Sequence, residues 1–304
     1  MGSLPELPGH LVVFGPGANC TLALCPVEWS VYTYRPSLAA NVAFLVLFGA
    51  AAGVHVVAGV GWGSCWFAFF NVLGCVVEMA GYAGRVVLHG NPWSFGGFMV
   101  QIVFITTGPV FYTAAIYVTL SQVSLACVSS VEHLGPELSR FRSSLFYWVF
   151  IPADLVCLVL QAAGGALSSI SVGSSTTGVH VAMAGLALQA ATVFLFSAFF
   201  ADYVIRYVYD VSTLPLSPRI RLFFGGLGVA TVLILVRSVY RCYELSKGYR
   251  HSDLIRDQGL FIGLEGVVVV IAVFALCIGH PGLIFSPEAK ADPAENNESS
   301  EEKA

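Results

Sequence analysis

Charged residues in this chain are separated by long apolar stretches. No Asp, Glu, Lys or Arg occurs in residues 36–77, 86–131 or 155–201. A helix at the surface of a soluble protein needs a charged outer face, whereas a charge at the centre of a bilayer costs at least about 2.5–3.5 kcal/mol. The pattern therefore predicts an all-α, polytopic membrane protein.

Breaks in the apolar pattern divide the chain into seven predicted transmembrane helices. Their predicted bounds are 38–60, 66–87, 97–125, 144–164, 179–202, 220–240 and 259–279. Each is close to the length of about 20 residues that a bilayer requires, and Pro109 predicts a kink inside the third. We divide the chain into a leader (1–37), a seven-helix membrane domain (38–282) and an acidic tail (283–304) with the composition of a disordered segment.

Composition agrees with this class of protein and narrows its partners. Apolar residues make up 57% of the chain and charged residues only 11%, against roughly 25% in ordinary soluble domains. No basic block suggests nucleic acid, and the cysteines form no metal-binding pattern. We expect membrane lipids and amphiphilic small molecules as partners and no metal or cofactor, and we leave a homo-oligomer open.

The leader carries the features that suggest its orientation. Lys and Arg are divided equally between the two sides of the predicted topology, so the positive-inside rule does not decide it. Asn19-Cys20-Thr21 matches the glycosylation sequon, and Cys25 is close enough in sequence to Cys20 for a disulfide in an extracellular segment. We therefore expect a glycosylated Asn19, an extracellular N-terminus and a cytosolic C-terminus.

Polar residues inside the predicted spans are the candidates for function, because ionisable groups are rare at membrane depth. Glu78, Tyr82 and Arg85 share one face of the second span at i, i+4 and i+7. The other candidates are Gln101 in the third span, Asp154 and Gln161 in the fourth, Arg237, Arg241 and Glu244 at the end of the sixth, and Glu265 in the seventh. We predict a polar cavity that accepts an amphiphile's head group, with a cationic amine held by Asp154, Glu78 or Glu265.

Structural roles for the same residues stay open. They could form an interhelical network that fixes packing, in which Glu78 and Arg85 partly neutralise each other. The arginines near span ends, Arg85, Arg237 and Arg241, could also extend their side chains to the interface. Aromatic residues near span ends are predicted interface anchors, namely Trp62, Trp66, Trp93, Tyr147 and Trp148.

Ordered motifs run through residues 34–282. They are Tyr34-x-Pro36-Ser37, Glu78-x-x-Gly81-Tyr82-x-x-Arg85, Gln101, Pro109, Ala114-Ala115-x-Tyr117, Asp154 with Gln161-x-x-Gly164-Gly165, Arg237-Ser238-x-Tyr240-Arg241-x-x-Glu244 with a following Gly248, and His280-Pro281-Gly282. As an ordered set they resemble the fungal RTA-like family, also called the lipid-translocating exporter family. The resemblance covers nearly the whole predicted membrane domain.

The resemblance implies a seven-helix protein of the plasma membrane or an endomembrane. Members are associated with release or transbilayer movement of sphingoid long-chain bases and with resistance to toxic amphiphiles, and some relatives with porphyrin handling. The family often places Glu at the start of the last span and Asp a few residues later. Here those positions are Gln258 and Glu265, a departure that would alter selectivity if the acidic pair binds cationic head groups.

Two other function classes compete with a lipid or amphiphile exporter in the plasma membrane. A seven-helix lipid sensor is the alternative, although the Asp-Arg-Tyr and Asn-Pro-x-x-Tyr motifs of familiar receptors are absent. An intramembrane enzyme needs clustered His or Asp ligands or a Ser–His pair, and His55, His180 and His280 are isolated along the sequence. We therefore predict no catalytic residue. No phosphate-binding loop is present, so transport would not use ATP hydrolysis by this chain.

Overall fold

Seven long helices make up the fold. The computed structural model describes residues 11–126, 144–170, 176–210, 218–246 and 256–282. Within these residues the helices are α1 (Leu38–Gly61), α2 (Cys65–Gly90), α3 (Phe95–Ala126), α4 (Ser144–Ile170), α5 (Thr176–Asp210), α6 (Pro218–Ser246) and α7 (Gln258–Ile278). All seven are long and apolar enough to cross a membrane. The predicted all-α, seven-span fold is confirmed, whereas the orientation of the termini stays a prediction.

The observed helix ends differ from the predicted bounds for local reasons. Helix α5 continues to Asp210, eight residues past the predicted end of its span, and Asp202 and Arg206 form an i, i+4 ion pair of 3.0 Å in this extension. Helix α3 continues past Pro109, and the kink there stays a prediction. The predicted tail, 283–304, lies outside the described residues.

Two helices begin at residues that satisfy their first backbone N–H groups. The Ser37 hydroxyl accepts a hydrogen bond from the Ala40 N–H at 3.4 Å before α1. The Asp257 carboxylate accepts from the N–H groups of Gly259 and Leu260 at 2.8 and 3.3 Å before α7. Side-chain oxygens at such positions replace partners that a helix lacks at its start.

Helix α7 contains a π-helical segment that the sequence did not indicate. The segment runs from Phe261 to Val267 and holds Glu265. Such segments are rare in α-helices and occur often at functional sites. The Tyr82 hydroxyl of α2 donates to the Glu265 carbonyl at 3.4 Å, so this part of α7 is also tied to a neighbouring helix.

The helices pack in the order in which they follow one another in the chain. Each contacts its neighbour in sequence, α7 returns to α1, and α3 also touches α6. Because each helix crosses once, the starts of α1, α3, α5 and α7 lie on one side together with the leader. We call this the leader side and the opposite one the far side.

Helices α4 and α5 approach each other unusually closely. A methyl group at Gly164 of α4 would overlap the Ala182 backbone of α5. One at Gly185 of α5 would lie 2.9 Å from the Cys157 carbonyl oxygen of α4. Small residues at such a seam let two backbones touch, which is a common mode of helix association in membranes.

The described part of the leader, residues 11–37, folds over the leader side of the bundle. Cys20 and Cys25 are joined by a disulfide and form a buried cluster with Trp93, in the turn between α2 and α3. The Phe14 ring contacts the Phe98 ring of α3 with centroids 5.3 Å apart. The leader therefore forms part of the folded protein.

The prediction that Trp93 is an interface anchor is wrong. Trp93 is buried against the leader disulfide, because the leader covers the turn between α2 and α3. The sequence alone predicts this turn at the membrane interface. Trp62, Trp66 and Trp148 are exposed at the bundle surface, where an anchor would lie. The side chain of Tyr147 lies outside the described residues.

Candidate functional site

Two arginines of α6 meet Glu265 of α7 in the bundle interior. Arg237 Nη2 donates to Glu265 Oε2 at 3.0 Å and to the Ile105 carbonyl of α3 at 2.7 Å. Arg241 Nε lies 3.8 Å from Glu265 Oε1, and its Nη1 is paired with Glu244 one turn along α6. Arg237 and Glu265 are 1% and 0% exposed. These contacts tie α3, α6 and α7 together.

Arg85 joins the leader to α2 and α7. Its Nη2 donates to the Tyr34 hydroxyl at 3.0 Å. Its guanidinium carbon lies 3.7 Å from the centroid of the Phe261 ring and 5.4 Å from that of Tyr32. Aromatic faces attract a guanidinium group and suit its planar shape.

These contacts correct two hypotheses about the arginines. Glu78 and Arg85 do not form an ion pair, because Arg85 is directed towards the leader and α7. The arginines do not extend to the interface either, since Arg85, Arg237 and Arg241 are 1%, 1% and 8% exposed. Partners on other helices and on the leader keep each guanidinium group inside the fold. Reasoning from one helix at a time could not include these partners.

Tyr82 is a packing residue between three helices. Its ring lies between Phe44 and Phe48 of α1, with centroids 4.8 and 5.7 Å away. Its hydroxyl donates to the Glu265 carbonyl of α7. Tyr82 therefore fixes α1 and α7 against α2.

Glu78 lies near the middle of α2 and is fully buried. It faces Gly108 of α3, where an added methyl group would overlap the carboxylate. Neither carboxylate oxygen has a hydrogen-bond partner among the described residues. Arg237 attracts this carboxylate from beyond hydrogen-bonding distance, and Glu265 repels it. Glu78 is therefore a close neighbour of the ion pairs without being bonded to them.

Asp154 occupies a second polar site, on the other side of α3. It is 2% exposed. Thr113 Oγ1 of α3 lies 3.1 Å from Asp154 Oδ2, and Thr192 Oγ1 of α5 lies 3.2 Å from Oδ1. Two turns along α4, Gln161 Nε2 donates to Gln189 Oε1 of α5 at 2.8 Å. This site joins α3, α4 and α5 through hydroxyl and amide groups.

Buried charges do not balance in the described part of the membrane domain. The buried carboxylates are four and the buried guanidinium groups are three, which leaves one carboxylate without a matching cation. The set consists of Glu78, Asp154, Glu244 and Glu265 against Arg85, Arg237 and Arg241. A buried charge without a counter-ion is unfavourable, so the interior favours either an added cation or a proton.

A cavity of about 60 Å³ lies on the leader side between α3, α4, α5 and α6. It offers several times the space that one water molecule needs. The polar groups of its wall come from Tyr32, Gln101, Gln161, Arg241 and Glu244. Two further wall residues, Val103 of α3 and Ala162 of α4, are exposed at the bundle surface. The cavity therefore opens sideways between α3 and α4, towards lipid.

Tyr32 of the leader closes the cavity from the leader side. Burial raises the pKa of its hydroxyl above the ordinary value, although the neighbouring Arg85 acts in the opposite direction. The hydroxyl therefore stays neutral and interacts with the Gln101 side chain. Nothing in the sequence of the leader indicated this role.

The ten predicted site residues occupy three positions. Gln101, Gln161, Arg241 and Glu244 line the cavity. Tyr82, Arg85, Arg237 and Glu265 form contacts between helices around it, while Glu78 and Asp154 lie deeper, on either side of α3. The sequence prediction missed Thr113 and Thr192. A possible signal was the Thr106–Thr113 spacing of seven residues, which places both on one face of α3.

Two histidines that are far apart in the sequence, His55 and His280, lie near each other in the fold. The Phe67 ring lies 5.8 Å from the His55 ring and 5.0 Å from the His280 ring, and Cys277 Sγ is 3.3 Å from His55 Nε2. Burial lowers the pKa of His280, just past the end of α7, to about 4. His280 is therefore neutral at physiological pH. No group of three potential metal ligands occurs among the described residues.

The fold and its buried charges define an integral membrane protein of seven spanning helices, with a cavity whose mostly apolar wall carries several polar side chains. The sequence profile of the family described as RTA1 like protein matches residues 71–288. The chain belongs to the RTA1-like family, as the ordered motifs indicated.

Three similar proteins come from Saccharomyces cerevisiae. The sphingoid long-chain base transporter RSB1 is 29% identical over 295 residues, covering 85% of this chain and 75% of its own length. Protein RTA1 is 26% identical over 286 residues, covering 83% and 85%, and Protein RTM1 is 28% identical over 214 residues, covering 68% and 64%. No solved structure matches this chain.

Proposed function

We propose that this protein exports single-chain amphiphiles with a cationic head group, of the sphingoid long-chain base class, across the bilayer. The observation that carries the proposal is the cavity that opens between α3 and α4 and combines an apolar wall with buried polar side chains. An amphiphile could enter there from the membrane without passing through water. The similarity to RSB1, which is named as a sphingoid long-chain base transporter, supports this substrate class.

The cavity wall offers a partner for each part of such a molecule. Glu244 is a buried carboxylate that would accept a hydrogen bond from the amine beside its ion pair with Arg241, and the Gln101 and Gln161 amides would bond the head-group hydroxyls. Val103 and Leu158 would contact the first part of the alkyl chain. The rest of the chain would remain in lipid, so a cavity the size of the head group is sufficient.

The remaining polar residues would support this site. Arg237 and Glu265 hold α6 against α7, and Arg85 holds the leader over the cavity through Tyr34. The two arrangements weighed from the sequence, a cavity and a packing network, are thus proposed to coexist. Resistance to toxic amphiphiles and a location in the plasma membrane, with transport rather than catalysis as the activity, belong to the same proposal.

The test is release of a labelled sphingoid base from cells with and without the protein. We expect faster release with the protein, and loss of that gain in Glu244→Gln at equal surface expression. Asp202→Asn is the matched control, because Asp202 is a half-exposed carboxylate on α5 whose partner is Arg206. Equal release with and without protein at the surface would contradict export. A ligand-dependent cellular response without flux would then favour the lipid sensor.

Orientation has its own test at the leader. Asn19 is exposed, and its side-chain oxygen accepts a hydrogen bond from the Val12 N–H at 2.7 Å. We propose that Asn19 is glycosylated and the leader extracellular. Glycosidase treatment of the protein from its native host should then increase its gel mobility, and Asn19→Gln should abolish the shift. An unshifted band would count against an extracellular leader.

A further inference from the structure

We propose that Asp154, with Thr113 and Thr192, is a second site for the substrate's ammonium group, at which the ammonium group replaces a proton. The proposal rests on the proposed function for its substrate class. It adds a second binding step, at Asp154 beyond the cavity, and it names a proton as the ion that is exchanged for the substrate. The argument depends on the position of Asp154, on its neighbours and on their hydrogen bonds.

The Asp154 site continues the cavity towards the far side. Leu158 and Gln161 of α4 line the cavity, and Asp154 precedes them by four and seven residues. These spacings correspond to about 6 and 10 Å along one face of the helix. On α3, Thr106 lines the cavity and Thr113 follows seven residues later. Both helices therefore lead from the cavity to Asp154.

Asp154 has no cationic neighbour among the described residues. The side chains that interact with it are Thr113 of α3, Thr192 of α5, and two titratable groups, the Tyr117 phenol of α3 and the Cys157 thiol of α4. A phenol and a thiol are both neutral near pH 7. In this environment the carboxyl group needs either its own proton or a positive ligand. Glu244 and Glu265, in contrast, already have arginine partners.

The hydrogen bonds of the two threonines are compatible with both the protonated and the ionised state of Asp154. Thr113 Oγ1 lies 2.9 Å from the Val110 carbonyl oxygen as well as 3.1 Å from Asp154. Thr192 Oγ1 lies 2.8 Å from the Gln189 carbonyl oxygen as well as 3.2 Å from Asp154. A hydroxyl group has one proton and can rotate, so each threonine either donates to Asp154 or donates to its own helix and accepts from Asp154.

The exchange needs no other reactant. In the empty site Asp154 is a carboxylic acid that donates its proton to one threonine hydroxyl. When R–NH₃⁺ arrives, the proton leaves for water through the cavity, the carboxylate pairs with the ammonium group, and both threonines donate to the carboxylate. One positive charge enters as one leaves. The site therefore stays electrically neutral throughout, as a buried site requires.

Calorimetry of the purified full-length protein in detergent tests the exchange. Dodecylamine is the probe, because an alkylammonium group with a pKa of about 10 keeps its proton near pH 7, so any released proton comes from the protein. Titrations in two buffers with different heats of ionisation give the number of protons released. We expect up to one proton per amine bound by the wild type, with the largest release at mildly acidic pH, where Asp154 is protonated before the amine binds. We expect Asp154→Asn to lose this release, while Asp202→Asn retains it.

A double variant of the two threonines separates a chemical role of the Asp154 site from a structural one. Thr113→Val combined with Thr192→Val removes two of the three donors that stabilise the carboxylate and leaves the Tyr117 hydroxyl, so the midpoint of proton release should move up by about one pH unit. An unchanged midpoint would contradict the proposal. Amine binding without proton release, or release that persists in Asp154→Asn, would overturn the exchange and leave export standing. If the wild type neither binds nor releases amines, both proposals fail.

Discussion

The polar interior contains two regions that use different chemistry at similar burial. In the ion-pair region, formed by α2, α6 and α7, Arg237 and Glu265 neutralise each other. In the hydroxyl region, formed by α3, α4 and α5, Asp154 contacts only neutral groups among the described residues. An ion pair such as Arg237–Glu265 fixes the charge of both members. Neutral donors leave a carboxyl group able to change its charge, which is a property that transport can use.

The largest effect is expected in the ion-pair region. Arg237→Ala removes the closer of the two arginines beside Glu265 and leaves only Arg241, whose Nε is 3.8 Å from the carboxylate. Removing one partner of a buried pair typically costs about 3–5 kcal/mol. We expect a large loss of folded protein, measured as the monodisperse fraction after heating in detergent. Arg237→Met combined with Glu265→Leu, which removes both charges, should recover much of it. Undiminished stability of Arg237→Ala would show that the pair is not structural.

The hydroxyl region should show the opposite behaviour. Asp154→Asn keeps the size of the side chain and a carbonyl acceptor for the threonines, so we expect a change of no more than about 1 kcal/mol in the free energy of unfolding. Release of labelled sphingoid base should nevertheless fall severalfold at equal surface expression. The measurements are thermal stability in detergent and cellular release, in parallel. Severe unfolding, or normal release, would remove the distinction between the two regions.

Glu78 tests where the boundary between the regions lies. Its carboxylate belongs to α2 but has no hydrogen bond to lose among the described residues. We expect Glu78→Gln to fold normally and to reduce release less than Asp154→Asn does, because Glu78 does not line the cavity. The same two assays apply. If Glu78→Gln unfolds as Arg237→Ala does, the residue belongs to the ion-pair region.

The smallest effect is expected for an ion pair outside both regions. Arg206 and Asp202 are partly exposed neighbours on α5, with side chains 34% and 46% exposed. Exposed pairs contribute about 0–1 kcal/mol, so Arg206→Ala should leave both stability and release near wild-type values. Heat stability in detergent and release of the labelled base would show this. A large effect would mean that burial is not what separates these pairs.

The sequence predicted the spans well because a bilayer excludes charge from its centre. The long uncharged stretches placed α1 correctly, and the family resemblance agreed with the helix order. The π-helical segment was missed, since its residues look like any apolar helix. The course of the leader was missed as well, because the packing of Trp93 on the disulfide joins residues about 70 positions apart.

The sequence identified the candidate residues better than their partners. Ionisable side chains at membrane depth are conspicuous, so Glu78, Asp154 and Glu265 were found directly. Their pairing depends on how the helices turn towards one another. Glu78 and Arg85 share a face, but seven residues span about 10 Å, so other helices provided their neighbours. Thr113 was missed because a threonine in an apolar helix usually bonds its own backbone.

The close seam between α4 and α5 has a mechanical consequence. With Gly164 against the Ala182 backbone, neither helix can slide without a clash, so we expect the two to move as one rigid body. The Thr192 hydrogen bond to Asp154 lies inside that body, whereas the Thr113 bond crosses from it to α3. Asp154 then connects this rigid body to α3, on the far side of the cavity. Its protonation would set how firmly that connection is held.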